Sequence, residues 1–354
     1  MPVRIPRPEL VLLLSVLGLS AAMGETMIIE DVDHYRVTDP MFECVRVVLA
    51  QRGEDLSPAY VQGVSGAAFR LAGPCPCAPT CSAAMSPEEL IRLLGYEVEY
   101  VPLNEEGADI EAEVPKVVER VKDEVRAGRP AIVWHAFTNA EWDVVCGFDD
   151  EKELFYGRGS YGDMRGEDCV SAPEGRTATC TDICPPLGAL FIGEKVGKFD
   201  ALAAELAALQ EAVRHGRTPE DRVPNGTEAG DWRFRNGLGV YDWWMQNPPA
   251  GWDYCLDVTR SRHRAAAEFL AEIAPRHPAA RESLHRAAEE FASDADALDR
   301  CVAAVTDDQA AEAERKAQAA QLLALARGHY AAALDQLEAA LAGAGPLPDR
   351  SQAP

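Results

Sequence analysis

The hydrophobic pattern of this chain changes once, near residue 199, and that change limits the fold more than any other feature. Before it, helical and strand periods alternate. After it, apolar residues recur at helical spacing. Leu202, Leu206, Leu209 and Val213 make one stripe, and Tyr330, Leu334, Leu337 and Leu341 make another. Between them, 232–246, 254–273 and 280–305 read as further helices, broken by Asn247-Pro248-Pro249 and Arg276-His277-Pro278. The short breaks and the alanine-rich, charge-flecked sequence suit an antiparallel bundle of roughly four to six helices.

The first part mixes both periods. Ser57-Pro58 opens a helix that runs toward Phe69. Ser86-Pro87-Glu88-Glu89 is a capping box with proline in the first helical position, and Gly95 stops that helix. Residues 96–101 alternate as a strand. Val114, Val117, Val118, Val121 and Val125 form a helical stripe that ends at Gly128-Arg129-Pro130. Residues 131–135 and 142–148 read as inner strands, the acidic turn 149–152 leads into 154–157 as an antiparallel hairpin, and 188–193 reads as the last strand. Helices first and a strand meander second imply α+β rather than a doubly wound sheet.

With 354 residues, 47% of them hydrophobic, the chain is long enough for two cored domains. Its formal charge of −24 argues against nucleic acid and against anionic lipid as partners. Arg4 and Arg7 precede the apolar run Leu10–Ala22, and Ala22-Met23-Gly24 is a workable cleavage site. This reads as a signal peptide over 1–24 and an exported protein, with no stable membrane span after cleavage because the run is too short. Glu9 is unusual in such a leader, so a cytoplasmic protein starting at Met23 or Met27 is the alternative. The organisation expected is 1–24 leader, 25–198 mixed domain, 199–343 helical domain and 344–354 disordered tail. Ten cysteines include two groups, Cys75, Cys77 and Cys81, then Cys169, Cys180 and Cys184. In an exported protein they read as disulfides closing two loops, with Cys75 and Cys77 taking different partners. Zinc is the alternative, although the paired C-x2-C spacing is missing. No cofactor motif is read.

Cys44 is the leading candidate for chemistry. Thr38 or Asp39 can cap a helix there, Pro40 suits its first position and Gly53 its C′ end. A thiol near a helix N-terminus sits where unpaired N–H groups favour the thiolate. Trp134, His135, Trp142 and Asp143 bracket one hairpin as possible pocket walls, with Arg158 beyond it as a candidate for an anionic ligand. Trp232, Phe234, Tyr241, Trp243, Trp244, Trp252 and Tyr254 cluster at the start of the helical part, as aromatic packing where the two parts meet or as a ligand pocket.

The cysteine-headed helix, the Gly128-Arg129-Pro130 entry to a strand and the strand ending Val144-Val145-Cys146-Gly147-Phe148-Asp149 together resemble the papain-like domain of bacteriocin-processing leader peptidases. The added helical part makes the chain similar to proteins of the butirosin-biosynthesis protein H type. The resemblance covers about residues 30 to 195, and implies a papain-like α+β domain followed by an all-α bundle. It puts the nucleophile on Cys44. The family's histidine position is occupied by Glu141, its acidic or amide partner falls in Tyr156-Gly157-Arg158-Gly159, and no glutamine precedes Gln51 to serve the oxyanion hole. His34 and His135 are the histidines of this part that could act as base in its place, His135 being the nearer to the family position. Three readings compete. The first is a catalytically degenerate papain-like protein that binds a peptide or small acyl ligand. The second is a thiol hydrolase or acyltransferase using Cys44 with His135. The third is a disulfide-stabilised exported structural or interaction protein.

Overall fold

The computed structural model describes residues 24–37, 40–73, 84–103, 109–138, 141–160, 169–171, 188–223 and 232–344. The expected leader up to residue 23, the thiols Cys75, Cys77, Cys81, Cys180 and Cys184, and the tail from 345 lie outside the described residues.

Alternating apolar residues build one antiparallel sheet in the first part. Its strands are β1 (Thr26–Ile28), β3 (Tyr96–Val101), β4 (Ala131–Trp134), β5 (Trp142–Asp149), β6 (Leu154–Arg158), β7 (Cys169–Ser171) and β8 (Ala189–Lys195). They run in the order β3-β8-β4-β5-β6-β7. β5 is buried along its whole length, and β4 pairs with its first half, Trp134 opposite Trp142. β1 takes over that flank where β4 stops, setting Met27 opposite Phe148. One face of the sheet carries α4 (Ile110–Arg126), whose valine stripe packs on Val133, Val145, Phe148 and Phe191. The other face carries α1 (Pro40–Ala50) and α3 (Pro87–Leu93), and α2 (Pro58–Val64) packs on α1. The capping box expected at Ser86 is present, with Ser86 Oγ accepting from Glu89 N at 3.1 Å and Glu89 returning the bond. The fold is α+β with a helical C-terminal region.

That region contains α5 (Ala201–Arg217), α6 (Leu238–Gln246), α7 (Tyr254–Ile273), α8 (Arg281–Val305) and α9 (Glu312–Ala344). It is not wholly helical. The expected helix over 232–246 begins as strand β10 (Trp232–Asn236), which pairs with β9 (Glu220–Val223) and with β2 (Ala72–Gly73). Trp232-Arg233-Phe234-Arg235 alternates with period two, the signal of a strand. Gly237 then holds φ 49°, and a Cβ there would lie 2.4 Å from the Gly216 carbonyl oxygen, so the helix starts after it. Among the described residues, no helix is long and apolar enough to cross a membrane.

One core cluster runs through both parts, joining Phe42, Val45 and Leu49 of α1 to Phe269 of α7, Phe291 of α8 and Tyr330 of α9. Every residue of α1 from Met41 to Leu49 is buried. In the helical part Glu205 and Asp294 have no exposed surface, and both are hydrogen-bonded, as burial of a charge demands. Glu205 accepts from Tyr60 Oη at 3.0 Å, pairs with Arg276 at 2.7 Å and meets His277 Nε2 at 2.7 Å. Asp294 accepts from Tyr241 Oη at 2.9 and 2.7 Å and meets His263 Nδ1 at 3.0 Å. His263 stacks on Tyr330, ring centroids 5.2 Å apart.

A third buried group makes stability pH-dependent. His215 Nε2 lies 3.0 Å from both N and O of Leu71, fully enclosed. Burial, then the nearby Arg70, Arg214 and Arg262 charges, push its imidazole well below the ordinary histidine range. The unfolded chain therefore binds a proton that the folded one refuses. This group's contribution is full above the unfolded pKa of 6.5 and is lost as pH falls below it, at about 1.4 kcal/mol per pH unit. Urea unfolding of the wild type from pH 7 to 5 should show that slope, and His215→Gln should flatten it. Equal slopes would refute the assignment.

Candidate functional site

Cys44 sits just past the first turn of α1 with no exposed surface. Its Sγ donates to the Met41 carbonyl at 2.8 Å, a bond that only the protonated thiol can make. Three elements make up the site, and the first of them bonds α1. The first is the segment 32–36, pinned by α1 itself. Arg46 bonds Asp33 Oδ2 at 2.7 Å, the His34 carbonyl at 2.7 Å and Glu43 Oε1 at 2.6 Å. Burial pushes the Glu43 carboxyl above its usual range, against the pull of Arg46. Tyr35 Oη then reaches across to the Trp142 carbonyl at 2.8 Å, which fastens the segment over the start of β5.

The second wall is the β4–β5 end of the sheet. Trp134 and Trp142 meet edge to face at 5.2 Å on the α1 side. The Trp134 indole Nε1 is buried and makes no hydrogen bond to the described residues. His135 follows at φ 61°, its ring edge-on to Trp134 at 4.8 Å and its N–H donating to the Glu141 carbonyl at 2.9 Å. The third wall is the start of α7. Tyr254 Oη donates to Glu141 Oε1 at 2.6 Å, and Glu141 is only 4% exposed.

The structure therefore gathers Trp134, His135, Glu141 and Trp142 at one corner of the sheet. It uses Asp143 and Arg158 differently. Asp143 alternates to the other side of β5, where its Oδ2 accepts from Phe137 N at 2.6 Å and Thr138 N at 2.7 Å, shaping the β4–β5 turn. Arg158 donates to the Val32 carbonyl at 3.0 Å, bracing the 32–36 segment. His34 accepts Arg46 through its carbonyl, and its N–H bonds Asp33. Of the junction aromatics, Tyr241 and Trp244 are buried while Trp252 is 64% exposed.

The chain matches no family model and no curated protein sequence. Its function has to be read from this corner. Among the described residues, no three His, Cys, Asp or Glu side chains converge to hold a metal ion, and no disulfide joins Cys44, Cys146, Cys169, Cys255 and Cys301. A groove of about 640 Å³ lies on the α4 side, lined by Arg52, Arg92, Arg120 and Arg129 together with Glu97, Glu99, Glu124 and Glu194. Its charges balance within the protein, Arg120 pairing with Glu99 and with Glu124 at 3.1 Å each. Sequence reasoning does not pair Tyr254 with this corner, because nothing local marks a residue 113 positions away as the partner of Glu141.

Proposed function

We propose that the chain is a papain-like domain with its catalytic positions replaced, fused to a helical half, and that it works by binding rather than turnover. Its ligand is a peptide or a small acyl compound held at the corner of Cys44, Trp134 and Trp142. The observation that carries this reading is Glu141. At the position where the family keeps its histidine, this chain has a buried carboxylate already bonded to Tyr254. Thiol hydrolysis of an amide needs a base to take the thiol proton and an acid to protonate the leaving amine. A carboxylate beside a thiol favours neither, and the Cys44 proton is held by a backbone carbonyl.

The alternative is a Cys44–His135 hydrolase or acyltransferase. It draws on the left-handed backbone of His135, since such strain gathers at working sites. One set of variants separates the two. Cys44→Ala is expected to cost about 1 kcal/mol of stability or less and to remove no amide-cleaving activity. A robust wild-type amidase lost in both Cys44→Ala and His135→Ala would replace the binding reading with the enzyme.

A further inference from the structure

The groove on the α4 side is balanced in sum but not pair by pair. Of its arginines, Arg92 pairs with Glu88 at 2.6 Å, Arg120 with Glu99 and Glu124, and Arg129 with Glu124. Arg52 makes no salt bridge among the described residues, and neither does Glu194. Each is set there by a separate feature of the fold. Arg52 lies just past the end of α1, and its Nη1 and Nη2 donate to the carbonyls of Gly193 and Ile192. Those carbonyls belong to the stretch of β8 beyond its pairs with β4, which join Leu190 to Ile132 and Ala189 to Val133. Glu194 owes its place to a shift of register. Tyr96 stands opposite Lys195 but Val98 opposite Ile192, so Gly193 and Glu194 share the single partner Glu97. An extra residue of this kind re-aims a side chain that regular alternation would send to the other face. Here Glu194 joins Glu97 and Glu99 in lining the groove.

The two unpaired charges sense each other without touching. Burial lowers the Arg52 guanidinium from its usual range, against the opposing pull of Tyr96 and Glu194. Its two carbonyl bonds leave guanidinium donors over and supply no counter-charge. A simple anion entering the groove meets the carboxylates of the lining, and a simple cation meets its arginines. A ligand that carries both charges meets neither obstacle. We propose that the groove is a second binding site, for a free amino acid or short peptide in its zwitterionic form, with Arg52 taking the carboxylate and Glu194 the ammonium group. A volume of about 640 Å³ suits a ligand of that size. The groove reaches Arg129, ahead of β4, whereas the Cys44 corner lies at Trp134, where β4 ends. The proposal goes beyond the corner and does not depend on it.

The test is isothermal titration calorimetry of the full chain at low ionic strength, with leucine and leucyl-leucine as probes. At least one should bind, and acetylating its amine or amidating its carboxylate should each weaken binding roughly tenfold. Glu194→Gln should abolish the preference for the free amine and keep that for the free carboxylate. Arg52→Gln should do the reverse. Glu194 is exposed, so its variant gives a folded protein even where loss of Arg52 loosens β8. No binding of either probe would overturn the proposal, and so would binding indifferent to both caps. An amine preference that survives Glu194→Gln would also overturn it, because the ligand then sits elsewhere, as at the Cys44 corner. Failure of the corner reading leaves these outcomes unchanged, since neither variant alters a residue of the corner.

Discussion

Asp294→Ala should destabilise the protein by about 3–5 kcal/mol, enough to unfold a large share of molecules at ambient temperature. Asp294 has no exposed surface, and both of its partners are equally enclosed. Truncation leaves the Tyr241 hydroxyl and His263 Nδ1 buried without the carboxylate they share. The Tyr241 phenol cannot escape by ionising, because burial, the first cause that holds it well above its usual range, remains after the truncation. Tyr241→Phe should be milder, about 1–2 kcal/mol, since His263 still meets the carboxylate. Equilibrium urea unfolding of the three proteins gives the comparison. A loss under about 1 kcal/mol for Asp294→Ala would show that the cluster relaxes or hydrates and has no such role.

Gly63→Ala is the second large effect, expected at about 3 kcal/mol, the upper end of core overpacking. Gly63 lies in α2 where that helix crosses α7. An added Cβ would sit 2.0 Å from Phe269 Cγ, at the root of the ring, where rotation gives little relief. Phe269 is itself fixed against Tyr60 at 5.8 Å and Phe69 at 5.9 Å. The two helices must therefore part. The check is a double-mutant cycle with Phe269→Leu. The methyl group should cost clearly less when the smaller, flexible leucine side chain replaces the ring, because the shared space is then available. Additive effects would mean that the methyl acts elsewhere, for example on α2 itself.

Much of the fold is readable in the sequence because the relevant forces are local. The Ser86 box, the valine stripe of α4 and the apolar runs of β4, β5 and β8 each announce themselves within about ten residues. β10 reads as helix because a strong helix, α6, follows it directly and its aromatic residues suit either period. The buried acids leave a fainter mark. Asp294 falls three residues after Phe291 and four before Leu298, on the apolar stripe of α8, and an acidic residue at core spacing predicts a buried partner without naming it. The candidate corner is half legible. Cys44, Trp134 and Trp142 stand out by type and setting, whereas the Tyr254–Glu141 bond depends on how α7 returns to the sheet. That return is a tertiary fact with no local signature.

The single core has a consequence for how the chain reaches its native state. α1 is enclosed by the sheet on one side and by α2 and α3 on the other, and α2 is covered in turn by α7 from the far end of the chain. The fastenings span long loops: Thr26 to Asp149 in the sheet, Ser57 to Glu272 at 2.6 Å, and Tyr330 Oη to the Phe69 carbonyl at 3.2 Å, 261 residues apart. Each closes only after its intervening chain has been ordered, and that loss of entropy precedes the reward of the contact. Folding is thus weighted toward slow, late steps, and α2 waits with its apolar surface open until α7 has emerged. During synthesis that surface is the chain's period of greatest exposure to aggregation and to chaperones.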